Sequence, residues 1–290
     1  MRKPAIITLG LILFTIMNIS GQKNIRLKDQ IIALMSKTQG NFGLAFKNLD
    51  NSDTIFINAH DYFHAASTMK TPVMLEIFNQ EKQERFKISD SLVIQNEFES
   101  IVDKSRYSLS INDDSDDILY KKIGQKMTIY DLTYEMMTKS SNLATNILID
   151  KVGAENVMKF LASLNIKENI VLRGVEDQKA FEAGLNNKTT PFGLLQIFEH
   201  IALTQPHNSL MMKILFDQKF NEIIPANLPK NVKVAHKTGS ITGVQHDSGI
   251  IFLPDGRKYV LILLSKNLKN ADDGVKTLAK ISKLIFDYLN

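Results

Sequence analysis

Apolar residues recur along this chain with two periods, and the switches between them outline the elements. Residues 43–49 and 54–58 alternate as strands do, and Asp50-Asn51-Ser52-Asp53 between them is a run of turn formers, so the two make a hairpin. Residues 27–37 before the hairpin carry helical spacing. A helix is predicted from Ser67 to about Gln80, with Pro72 near its first turn, where a missing N–H costs least. The middle is mainly helical, over roughly 129–138, 142–152, 154–164 and 191–203, and Asp113 to Asp117 reads as a solvated acidic loop. Strand patterns return at 232–237, 247–253 and 259–265, and an amphipathic helix closes the chain from about 272 to 289. Strands, then helices, then strands and a last helix predict an α+β fold. An antiparallel sheet is made from both chain ends (22–75 and 225–290), flanked by helices, with a mainly helical region (76–224) inserted between them. A cleft is expected where the two regions meet.

The first 21 residues stand apart. Arg2 and Lys3 precede a nearly unbroken apolar run from Ile6 to Met17, too short to span a bilayer comfortably, and small residues follow. This reads as a signal peptide cleaved near Gly21-Gln22, giving a secreted, periplasmic protein with no stable membrane insertion; the alternative is an uncleaved anchor. The net charge is +4, and loss of Arg2 and Lys3 with no acid leaves +2, so the basic balance is weak support for a nucleic-acid partner and none is expected. The 290 residues include no cysteine, which excludes disulfides, thiolate catalysis, lipoprotein processing and cysteine-ligated metals. The six histidines show no ligand spacing, so neither a metal nor an organic cofactor is expected. A monomer is expected.

Three short motifs carry candidate chemistry. In Ser67-Thr68-Met69-Lys70 the serine and lysine share a helix face, so a partly desolvated lysine can act as base toward the hydroxyl. Spacing alone does not select this pair, because Ser20-Gly21-Gln22-Lys23 matches it too. In Ser140-Ser141-Asn142, followed by Asn146, a second hydroxyl can relay a proton and the Asn142 amide can hold a carbonyl and the lysine; an ordinary helix cap fits equally. In Lys237-Thr238-Gly239-Ser240 the lysine and threonine can bind a carboxylate, Gly239 permits close approach to the backbone, and the Ser240 N–H can join that of Ser67 as an oxyanion hole.

Taken together and in this order, S-x-x-K, S-x-N and K-T-G resemble the motif set of class A β-lactamases and penicillin-binding proteins. The flanking runs Phe63-His64-Ala65-Ala66, Met136-Met137-Thr138-Lys139 and Leu143-Ala144-Thr145-Asn146 agree, and the likeness extends from the first hairpin to the last helix. The resemblance implies a serine hydrolase that is acylated at Ser67 and hydrolyses the β-lactam amide. Lys70 would help deprotonate Ser67, Ser140 would pass the proton to the departing nitrogen, and Asn142, Lys237, Thr238 and Ser240 would bind substrate. The alternative is a D,D-peptidase or other cell-wall-directed serine hydrolase that deacylates slowly; the partner is then a cell-wall peptide in place of a small β-lactam.

The sequence departs from that family twice. Ser141 stands where the family usually has aspartate, so a buried charge is lost and altered loop support is expected. The deacylating base is sought in the family's E-x-x-L-N pattern, which Glu182-Ala183-Gly184-Leu185-Asn186 matches, although Thr189-Thr190-Pro191 follows almost at once and shortens the loop. Glu182 is therefore the candidate deacylating base, an ordinary surface-loop glutamate being the alternative, with Glu176 in Gly174-Val175-Glu176-Asp177 as the rival.

Overall fold

A computed structural model describes residues 24–51, 53–204 and 208–290. The signal segment 1–21 and its cleavage point lie outside the described residues. In chain order come helix α1 (24–35), strands β1 (Asn41–Asn48) and β2 (Thr54–Ile57), and helix α2 (Lys70–Lys82). Helices α3 (Ile129–Thr138), α4 (Asn142–Val152), α5 (Ala154–Ser163), the short α6 (Gln178–Glu182), α7 (Pro191–Leu203) and α8 (Asn208–Phe216) follow. Strands β3 (Lys233–Ile241), β4 (Val244–Phe252) and β5 (Lys258–Lys266) and helix α9 (Ala271–Leu289) complete the chain.

The expected α+β architecture is present. The main sheet has the order β3-β4-β5-β1-β2, so strands from both chain ends share it. Pairing is antiparallel throughout, with Leu44 opposite both Leu263 and Ile57, and Lys237 opposite Ser248. Strand β5 explains why both faces are covered. Tyr259, Leu261 and Leu263 pack on one face with Phe42, Leu44 and Phe46 of β1, Ile31 of α1, and Leu278, Ile281 and Ile285 of α9. Val260, Ile262 and Leu264 pack on the other face, in a second core continuous with α2, α4 and α7. The strand period of two thus assigns alternate residues to two separate cores. Leu27, Ile31 and Met35 recur every four residues and hold α1 to the first core.

Three details differ from the pattern reading. The strands β3 and β4 run further than their apolar cores, through the polar Thr238 to Ile241 and back from Val244, because backbone pairing with a neighbour continues where side chains no longer signal it. Ser67 does not open the α-helix: it lies in a turn of 3-10 helix (Ala66–Met69) that leads into α2. Pairs of two or three residues, such as Phe63–His64 with Lys188–Thr189, form small ladders that fasten loops of the helical region.

Candidate active site

The 3-10 turn sets the serine. Its start is strained, with Ala66 at φ +44°, and is held by Ala66 N–H donating to His64 Nδ1 (3.0 Å) and Thr68 Oγ1 donating to Ala65 O (2.5 Å). A Cβ on Gly239 would lie 3.1 Å from the backbone nitrogens of both Ser67 and Thr68. Strand β3 therefore runs directly against the serine turn, and a glycine at 239 is what permits that approach.

Lys70, one helical turn on, is fully buried. Its Nζ donates to Ser140 O (2.5 Å), Ser140 Oγ (3.2 Å) and Asn142 Oδ1 (2.9 Å). Burial pushes its pKa down to about 7, against the opposing pull of Asp114 and Glu176. From the sheet side, the equally buried Lys237 donates to the same Ser140 Oγ (3.0 Å) and to Thr238 O (2.9 Å). Burial, then the neighbouring Lys70, depress it well below the usual lysine range. Ser140 Oγ accepts from two amino groups, which occupies its lone pairs and leaves its own O–H free to donate elsewhere. Ser140 adopts φ +60°, a backbone conformation uncommon for serine, and this places its carbonyl and hydroxyl on Lys70 together.

Asn142 links this cluster to a carboxyl. Its Oδ1 faces Lys70 while its Nδ2 donates to Glu176 Oε1 (2.6 Å). Glu176 is half-buried, and burial raises its pKa, with the Asn142 bond acting in the opposite sense. The loop that carries it is braced at several points. Asn146 accepts from Val175 N–H (2.7 Å) and donates to Val175 O (3.0 Å), and a Cβ at Gly174 would collide with Asn146 Oδ1. Arg173 donates to Leu185 O, Gly174 O and Asn186 Oδ1, closing the neck of the loop together with Asn187. The buried Asp177 caps α6 and accepts from Ser100 Oγ and Ile101 N–H. Ser67, Asn142, Glu176 and Ser240 line one open cleft, which continues past Ser140 and Thr238.

Known proteins match this arrangement along its length. The pattern of the β-lactamase enzyme family covers residues 26–289. The chain belongs to that β-lactamase family. Its enzyme class is that of the serine β-lactamases. A β-lactamase of Bacteroides uniformis is 25% identical over 98% of this chain and 97% of its own length. A β-lactamase from Sphaerobacter thermophilus has the same fold, with a TM-score of 0.76, 24% identity and coverage of 89% of this chain and 95% of that one. So does a mutant of PBP-A solved as its acyl-enzyme complex with penicillin G, at a TM-score of 0.77, 24% identity, and 91% and 96% coverage.

Within this β-lactamase-family site, the structure brings together Ser67, Lys70, Ser140, Asn142, Lys237, Thr238 and Ser240. It does not bring Glu182 to them. Glu182 ends α6 with its side chain exposed, and its Oε1 accepts from Gln178 Nε2 (2.9 Å). The reason is local: Asp177 caps α6, Ala180 faces the core, and Glu182, two residues on, points away. Glu176, just before the cap, takes the place in the cleft. The acidic loop also differs from its reading as simply solvated. Asp116 is buried, with a carboxyl pKa raised by burial and by Glu135, and Asp114 reaches the start of α4. Both His236 and His246 make structural bonds, and His246 also borders the cleft. The buried His236 pairs with Asp247 (2.9 Å), and His246 joins His64 O (2.9 Å) to Ser265 N–H (3.1 Å). Among the described residues no three His, Cys, Asp or Glu are placed to hold a metal ion, and no helix is long and apolar enough to cross a membrane.

Proposed function

We propose that the protein hydrolyses β-lactams through an acyl-enzyme on Ser67, with Glu176 activating the deacylating water. The observation that carries the reading is the continuous chain from Lys70 Nζ through Asn142 to Glu176 beside a half-buried serine. Ser67 Oγ attacks the lactam carbonyl carbon while Lys70, in its free-amine form, takes the hydroxyl proton. The oxyanion faces the backbone N–H groups of Ser67 and Ser240. As the C–N bond breaks, Ser140 gives its proton to the ring nitrogen and is reprotonated from Lys70. Lys237 and Thr238 hold the substrate carboxylate. Water, deprotonated by Glu176, then attacks the ester carbon; the bond to Ser67 Oγ breaks, the proton held by Glu176 passes to Ser67 Oγ, and the ring-opened acid is released. The apolar leader over 1–21 fits an exported enzyme that meets its substrate in the periplasm.

The test is turnover of a chromogenic cephalosporin by the mature protein and by Ser67→Ala. Repeated turnover that vanishes in Ser67→Ala supports the reading. Undiminished turnover in that variant overturns it. A single burst of colour from the unaltered protein, with a lasting adduct, transfers the assignment to a slowly deacylating penicillin-binding enzyme.

A further inference from the structure

Helix α4 starts with Ser141 as its cap, and the serine hydroxyl accepts from Ala144 N–H (3.3 Å). The two N–H groups before it, those of Asn142 and Leu143, would otherwise be without partners. Both donate to Asp114 Oδ2 (2.9 Å each), which arrives from a loop 28 residues earlier. Tyr120 Oη donates to the same oxygen (3.1 Å) and Asp116 N–H to Asp114 Oδ1 (3.1 Å), so the carboxylate is fixed in orientation. The negative charge at this helix start is therefore supplied from outside the helix. It sits on the backbone of Asn142, the residue whose side chain holds both Lys70 and Glu176.

We propose that Asp114 is a positioning residue for the catalytic cluster: from a separate loop it supplies the carboxylate that Ser141 does not, orienting Asn142 and setting the charge that Lys70 experiences. Glu176 on its loop and Asp114 favour protonation of Lys70, and Lys70 in turn opposes protonation of Lys237 on β3. Asp113 and Asp114 add negative potential at Glu176, and Asp114 does the same at Asp116 in its own loop. A neutral cap would satisfy the two N–H groups equally well but would not act on Lys70.

The proposal rests on Lys70 as the proton acceptor in acylation, and the test separates the two. Acylation rates with a fluorescent penicillin are measured from pH 5.5 to 9 for the unaltered protein, Asp114→Asn, and Asp114→Asn combined with Ser141→Asp, with a thermal melt of each. Asparagine can accept the same N–H groups without the charge. In Asp114→Asn the acid limb should move to lower pH by about one unit, and Ser141→Asp should move it back. An unmoved limb with a lowered Tm means that Asp114 only caps the helix, and overturns the proposal. If Asp114→Asn alone is not recovered folded, Asp114→Asn combined with the neutral cap Ser141→Asn decides: a limb a unit lower supports the proposal, and one at the unaltered position overturns it. Absence of any labelling in the unaltered protein overturns the acylation reading itself, and the proposal with it.

Discussion

Exchange of Glu176 for glutamine, with the same exchange at Glu182 beside it, separates the two candidate bases. The amide introduced by Glu176→Gln keeps a carbonyl oxygen to accept from Asn142 Nδ2, the contact now 2.6 Å long, so Asn142 and Lys70 should stay in place and Ser67 should still acylate. An amide cannot take a proton from water. A positioned general base contributes about 10²–10⁴-fold, or about 2.7–5.4 kcal/mol of barrier, and deacylation should fall by that factor. Glu182 is exposed and bonded to Gln178 one turn back, so Glu182→Gln should change either step less than about twofold. Stopped-flow labelling gives acylation, and the decay of the adduct in intact mass gives deacylation. Persistent adduct in Glu176→Gln with unaltered decay in Glu182→Gln is expected. Normal turnover by Glu176→Gln, or loss of deacylation in Glu182→Gln, would refute the assignment and with it the route through Asn142.

Three further outcomes follow from the same geometry. Acylation should have an acid limb near pH 7, because the Lys70 pKa is pushed down to about 7 and below that value the ammonium has no lone pair for the serine proton; a limb near pH 5 in a pH–rate profile would contradict this. Asn146→Ala removes both bonds to Val175, leaving its N–H to water and its C=O with the Tyr107 hydroxyl alone, which should loosen Glu176 by about 1–3 kcal/mol and slow deacylation more than acylation, read from the same two rates. Asp247→Ala strands the buried donors Ile224 N–H, Ser248 N–H and His236, and should cost about 3 kcal/mol or more, read as a lowered urea midpoint with an unchanged slope.

The sheet and the motif residues were legible in the sequence because each rests on local chemistry. The alternation in 43–49 and 259–265 can be read without knowing what lies opposite, and Ser67, Lys70, Ser140 and Lys237 sit in short motifs whose order gives them weight. What could not be read was set by contacts far apart in the chain. Glu182 fits a five-residue pattern, but Asp177 starts a helix that runs into that pattern and turns Glu182 outward. Nothing near Glu176 in sequence announces the Asn142 and Asn146 amides that place it. Asp114 looks like one acid among several in a polar loop until α4 is brought beside it. The signal for such residues is an unmet need elsewhere: a serine where a charge is usual at 141, and a glutamate pattern in a loop too short to hold it.

The central claim is that the covalent intermediate forms on Ser67 and is then released. Its most direct test is to quench the protein with a slowly hydrolysed β-lactam at intervals, follow the intact mass, and map the modified peptide. A single adduct of the substrate mass, located on Ser67 and decaying as product accumulates, is the predicted result. An adduct on another residue, or product formed with no adduct at any time, would contradict it.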